Sequence, residues 1–191
     1  MTSPAFTGEC FINGRWLKGG GPEFASIASA DGLEVWRGHE ASVADVEAAV
    51  SAARAALPAW RRRSMDERIA VVRAFAKLVD AHKADMAAVI SRATGKPLWD
   101  AATEAAAIVG KAELSVKAYA ERTPLKEAAA GAYIARISHH PHGVMAVLGP
   151  FNFPGHLPNG HIVPALLAGN CVLFKPSELT PRVAEETVKL W

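Results

Sequence analysis

Val144-Met145-Ala146-Val147-Leu148, followed by Gly149-Pro150-Phe151-Asn152-Phe153-Pro154-Gly155, decides the fold. The unbroken apolar run predicts a strand buried on both faces of a parallel sheet, where helices cover both sides and no polar alternation survives. The Gly- and Pro-rich loop ends that strand and opens a helical stretch closing at Gly169-Asn170. A second apolar run, Cys171 to Phe174, follows directly and reads as another buried strand. Strand, helical crossover and strand make a βαβ unit. The expected fold class is therefore α/β, with the first unit of a doubly wound sheet.

Upstream, Pro141 to Gly143 breaks the chain, Ala132 to His140 reads as a strand from Tyr133-Ile134 and Ile137, and Pro124 to Gly131 reads as a linker. Three helices precede it. The third spans roughly Trp99 to Arg122, with Ile108, Val109, Ala112, Val116 and Tyr119 spaced for burial. The second opens on a capping box, Ser64 and Glu67, and carries the stripe Ile69, Val72, Phe75, Ala76 and Val79. It continues through Met86, Val89 and Ile90 to a C-terminal Gly95, with Pro97 beyond. The first runs from near Ser42 to Leu57 with Val43, Val46, Ala49, Val50 and Ala53 on one face, and Pro58 is expected to stop it. Near the start, Phe11-Ile12, Asn13-Gly14 and Trp16-Leu17 form a hairpin signal, since Asn-Gly accepts positive φ at both turn positions. Gly19 to Pro22 is a loop. Downstream, Thr180-Pro181 reads as the N-cap and first turn of a helix through Val183, Thr187, Val188 and Trp191. No C-cap or further strand follows it, and a two-stranded parallel sheet leaves edges uncovered. The expectation is a chain that stops before its sheet is complete. The organisation reads as residues 1–123, hairpin and helices; 124–142, linker and arm strand; and 143–191, the βαβ unit.

Bulk properties narrow the function classes. Of 191 residues, 50% are apolar and 21% charged, the profile of a soluble globular protein, and the formal charge of +2 points to neither nucleic acid nor membrane. The basic run Arg61-Arg62-Arg63 reads as a solvated turn. Cys10 and Cys171 match no disulfide or zinc spacing. The first residues carry no secretory signal pattern, and no apolar run is long enough to span a bilayer, so a cytoplasmic protein is expected. His139, His140 and His142 cluster without a metal-ligand spacing, and no metal site is expected. His156 and His161 flank a helical stretch and read as ordinary packing.

Ligands of open α/β sheets bind beyond the carboxyl ends of the strands. Two loops fall there: Gly149 to Gly155, and Lys175-Pro176-Ser177-Glu178. Pro150 and Pro154 stiffen the first on both sides of Asn152, so its amide is either a preorganised donor or a turn residue bonding its own backbone. Lys175 and Glu178 are either a surface ion pair or a donor and acceptor for a hydroxyl-rich ligand such as a ribose.

These two loops, with Thr94-Gly95-Lys96-Pro97 and Phe11-Ile12-Asn13-Gly14, resemble the start of the coenzyme domain of the aldehyde dehydrogenase superfamily, across essentially the whole chain. A narrower stretch, Gly155-His156-Leu157-Pro158-Asn159-Gly160-His161 with Phe174 to Pro181, is similar to the succinylglutamate-semialdehyde dehydrogenases of bacterial arginine breakdown. The resemblance implies N-terminal helices and the opening βαβ unit of a Rossmann-like coenzyme domain, with NAD as cofactor, an aldehyde substrate and a homo-oligomer. It implies that Asn152 donates to the oxyanion, that Pro150, Phe151, Lys175, Ser177 and Glu178 bind coenzyme, and that Phe153 and Ile108, residue types otherwise read as plain core, line a substrate tunnel that His156 and His161 help to shape for an anionic substrate. It implies that Ala132 to His140 is an oligomerisation arm. It also places the nucleophilic cysteine, the glutamate base and the glycine-rich phosphate turn beyond Trp191, so residues 1–191 alone are expected to be inactive. The other readings are a non-catalytic module binding a nucleotide or a subunit, and a dehydrogenase for another semialdehyde.

Overall fold

The computed structural model describes residues 6–191. Its first element is the expected hairpin, β1 (Cys10–Ile12) against β2 (Arg15–Leu17), turned at Asn13 (φ 51°) and Gly14 (φ 75°). A second antiparallel pair, β3 (Glu23–Ile27) and β4 (Glu34–His39), was not anticipated. Its signal was Asp31-Gly32 between two runs of strand formers, with Gly32 at φ 72°.

Helix α1 spans Val43–Arg62 behind a full capping box of Ser42 and Asp45. The expectation that Pro58 ends it fails, because the helix carries Pro58 inside and stops at Arg63. Trp60, in the last turn beyond Pro58, donates from Nε1 to the carbonyl of Leu166 at 3.1 Å, which ties that turn to a distant segment. Arg61, Arg62 and Arg63 are exposed there, favourably placed at the negative end of the helix. The expected apolar face is only half covered: α1 has no fully buried residue, and Val43 and Val46 face solvent.

Helix α2 (Met65–Ala81) starts at the predicted Ser64–Glu67 box and buries Val72, Phe75, Ala76 and Val79. The continuation is a separate helix, α3 (Lys83–Thr94), because His82 leaves helical geometry at φ −108°, ψ 20°. Gly95 caps α3 in the left-handed conformation, φ 78°, where a side chain would also strike Ser29 Oγ. Helix α4 (Leu98–Arg122) buries Ala101, Glu104, Ala105, Ile108, Ala112 and Ser115 along one face. Pro124 to Gly131 is not a plain linker: β5 (Lys126–Ala130) pairs antiparallel with β6 (Tyr133–Ile137), shorter than the strand expected over Ala132 to His140. Every residue of this hairpin is exposed.

Strands β7 (Val144–Leu148) and β8 (Cys171–Lys175) are parallel and joined by α5 (His156–Leu167), the βαβ unit read from the sequence. Burial on both faces does not hold within this chain. Only Val147 of β7 is buried and Leu148 is 75% exposed, because each strand has one unpaired edge and α1 and α5 cover the pair only in part. At the far end from the loops, Asn170 accepts from Gly143 N at 2.9 Å and donates to Ala165 O at 3.2 Å, while Cys171 N donates to Gly143 O at 2.9 Å. Helix α6 (Pro181–Leu190) follows with Thr180 at its N-cap and Pro181 in its first turn, although the Thr180 hydroxyl makes no capping bond. The core lies between α2, α3, α4 and the two later helices: one cluster holds Phe75, Val79, Ile90, Ile108 and Val183, the other Val72, Ala112, Val163 and Leu167. Trp191 stacks on Phe75 with ring centroids 3.8 Å apart. This chain is thus a mixed α/β structure of helices and small, unclosed sheets.

Candidate active site

The carboxyl ends of β7 and β8 bring the two predicted loops together, because Gly149 N donates to Lys175 O at 2.8 Å. In the first loop Phe151, Asn152 and Phe153 face solvent while Pro154 and Gly155 are buried beneath them. The Asn152 amide forms no hydrogen bond with any described residue, so the turn-residue alternative is not what the structure adopts. Pro150 is half-buried next to exposed Phe151. Ile108 is fully buried in the first core cluster, directly under Gly155: a Cβ added there would lie 2.6 Å from Ile108 Cδ1.

What anchors this loop is a residue the sequence reading passed over. Glu104 is buried on α4, with its side chain wholly shielded. Its Oε1 accepts from Gly155 N at 2.9 Å and His156 N at 3.1 Å, the first amides of α5, and its Oε2 accepts from Lys96 Nζ at 2.8 Å. Lys96 Nζ also sits 4.1 Å from the centroid of the Phe153 ring. From the other side, Asn159 Nδ2 donates to Gly155 O at 2.8 Å, and Trp191 Nε1 donates to Asn159 Oδ1 at 3.3 Å. The signal for Glu104 was a lone carboxylate on the apolar stripe Ala101, Ala105, Ile108 and Ala112.

In the second loop Lys175 Nζ and Glu178 Oε2 lie 3.3 Å apart with both side chains about two-thirds exposed (66% and 68%). The backbone amide of Glu178 itself, then the Lys175 ammonium, holds the Glu178 carboxyl below its ordinary range. Ser177 is turned inward: its hydroxyl accepts from Leu179 N at 3.2 Å and shapes the turn into α6. Neither cysteine is activated. Burial and then the Asp45 charge push the Cys10 thiol up, and burial pushes Cys171 up. Burial, and then the Lys111 cation, push His156 down. Among the described residues no group of three or more His, Cys, Asp or Glu side chains could hold a metal ion.

Comparison with known proteins gives this geometry its setting. The model of the aldehyde dehydrogenase family matches residues 16–191. The chain belongs to that family. Relatives include the N-succinylglutamate 5-semialdehyde dehydrogenase of Chromobacterium violaceum, 59% identical over 181 residues, which covers 95% of this chain and 37% of that protein. The same-named protein of Serratia proteamaculans is 52% identical over 191 residues, covering 100% of this chain and 38% of that one. The chain therefore spans little more than a third of the length of these curated aldehyde dehydrogenases. Among solved structures, an aldehyde dehydrogenase from Brucella melitensis superposes with a TM-score of 0.93 at 27% identity, over 100% of this chain and 40% of that chain. An NADP-dependent glyceraldehyde-3-phosphate dehydrogenase from Bacillus halodurans superposes at 0.91 and 25% identity, over 97% and 40%. No helix among the described residues of this aldehyde dehydrogenase chain is long and apolar enough to cross a membrane.

Proposed function

We propose that this chain supplies the oxyanion donor and the coenzyme-ribose contacts of an enzyme that oxidises N-succinylglutamate 5-semialdehyde to its acid with NAD. The observation that carries the reading is Asn152: an amide with no hydrogen-bond partner among the described residues, presented to solvent at a strand's carboxyl end on a loop anchored from below. Such a donor needs no reorganisation when an aldehyde oxygen takes up charge. Lys175 and Glu178 fit the adenosine ribose. An ammonium and a carboxylate, close together and open to solvent beyond β8, can donate to and accept from vicinal hydroxyls. When bound, NAD supplies the hydride acceptor. Pro150 and Phe151 border the same cleft, Ser177 sets the turn that presents Glu178, and Phe153 lines the aldehyde's approach, with Ile108 packed beneath the neighbouring Gly155. The semialdehyde is taken from the 52–59% identity to proteins of that name.

The decisive experiment is to express the whole reading frame and measure kcat/KM for a panel of semialdehydes with NAD and NADP. Highest efficiency for N-succinylglutamate 5-semialdehyde with NAD supports the reading, and a different preferred aldehyde replaces it. A purified 1–191 polypeptide is expected to give no coenzyme-dependent turnover, since both of its thiols are pushed up rather than activated. We further propose that the β5–β6 hairpin pairs with another copy. It exposes Tyr133, Ile134 and Ile137 along a strand with an unpaired edge. Deletion of residues 126–137 should reduce the oligomer seen by analytical ultracentrifugation, and an unchanged sedimentation coefficient per subunit set would overturn this.

A further inference from the structure

Asn152 is presented by a loop that has little of its own to hold it, so the geometry of its amide depends on what grips the residues that follow. Three contacts do so. Both amides that begin α5, at Gly155 and His156, converge on one oxygen of Glu104, at 2.9 and 3.1 Å. Lys96 Nζ takes the other oxygen at 2.8 Å and places its charge 4.1 Å from the ring of Phe153, the residue next to Asn152. The Gly155 carbonyl is held by Asn159. Gly155 has no side chain because Ile108 Cδ1 occupies that space. Glu104 comes from α4, a different element from the loop, and its side chain is fully shielded; Lys96 is 13% exposed. A buried charge pair of this kind is weak evidence for stability, since desolvation offsets most of its attraction. Its value lies in direction: bonds to an ionised acceptor are short and set geometry more tightly than neutral ones.

We propose that Glu104, paired with Lys96, is a positioning residue for the oxidation, fixing the Asn152 amide by pinning both the first amides of α5 and the Phe153 ring. This rests on the reading of Asn152 as the oxyanion donor. Glu104 itself touches neither aldehyde nor coenzyme, so its effect belongs in kcat and passes through Asn152.

The test is a double-mutant cycle in the whole protein. E104Q keeps the shape and one acceptor oxygen but turns an NH2 group toward Lys96, which breaks that ion pair and leaves Lys96 with only Asp100, 3.9 Å away, and the Phe153 ring to hold it among the described residues. The expected result is a fall in kcat of about tenfold, with coenzyme KM unchanged and faster hydrogen exchange at the Gly155 and His156 amides. In the N152A background E104Q should change kcat by less than about twofold, because the group it positions is gone. A role in general folding would instead multiply the two losses. If E104Q fails to fold, K96M, which leaves both amides on the carboxylate but removes the cation from the Phe153 ring, runs the same cycle on kcat, with exchange at those two amides unchanged. N152A impaired with E104Q at wild-type kcat, or losses that multiply, overturns the proposal alone. N152A at wild-type kcat overturns the oxyanion reading and the proposal with it.

Discussion

Asn152→Ala, made in the complete enzyme, isolates one interaction more cleanly than most active-site substitutions. The amide bonds to no described residue, and the loop is held through the backbone of Gly155 and His156 and the ring of Phe153, none of which changes. The substitution therefore removes a donor and leaves its mounting. A preorganised donor aimed at a developing oxyanion contributes about 2.7–4 kcal/mol, so kcat should fall by about 10²–10³. An exposed side chain bonded to no described residue adds little to folding, so the thermal midpoint should move by less than about 2 °C. Coenzyme KM should hold. N152D sharpens the test, since it keeps the shape but presents negative charge to a forming anion; its kcat should equal or fall below that of N152A. Steady-state rates from reduced-coenzyme absorbance, with melting curves on the same preparations, decide the matter. A kcat within about threefold of wild type, or N152D faster than N152A, would refute the argument.

Glu178→Gln removes the carboxylate that would oppose the 2′-phosphate of NADP. At about two-thirds exposure the repulsion is screened, so the ratio of kcat/KM for NAD over NADP should shrink by about three- to tenfold, chiefly through better use of NADP. Gly155→Ala drives a Cβ to 2.6 Å from Ile108 Cδ1 and should cost about 1–3 kcal/mol in stability as well as kcat. Adding Ile108→Val, which deletes that atom, should restore much of both; no recovery would mean the loop does not rest on Ile108. Burial pushes the Glu185 carboxyl up, but bonds from Lys189, the Thr7 amide and the Trp36 indole (2.8 Å) outweigh it and hold it low. Its stabilising effect is thus complete above the unfolded-state value of about 4.3 and is lost as pH falls through the lowered folded value. In denaturant titrations read by tryptophan fluorescence, the gap between wild type and Glu185→Gln should stay constant near neutrality and narrow in acid; a gap that widens in acid contradicts this sign.

Local chemistry made much of the architecture legible. Asn13-Gly14, the Ser64–Glu67 box and Gly95 each act within a few residues, and each appears where the sequence puts it. The misses share a cause at longer range. Pro58 stays inside α1, whose last turn is tied through Trp60 to Leu166, more than a hundred positions away. Lys126 to Ala130 has helix-forming residues but becomes a strand because β6 is beside it, and full exposure left no apolar alternation to read. Of the candidate site, the loops were visible as punctuated strand ends. Glu104 was not, since the two amides and the ammonium that give a buried carboxylate its purpose come from other elements.

The Asn170 staple has a consequence for how the molecule assembles. Parallel pairing of β7 and β8 has to wait for α5 to bring their ends together, a non-local closure that is slower than forming α1 to α4. Asn170 bonds both the entry to β7, at Gly143, and the last turns of α5, at Ala165, so the strand entry, the helix end and the start of β8 are tied together at the end remote from the loops. The ladder runs from Val144–Cys171 at that end to Leu148–Lys175 at the loops. Asn152, Lys175 and Glu178 sit at the opposite end of the two strands, so a substitution at Asn170 would reach them through strand register rather than through any direct contact.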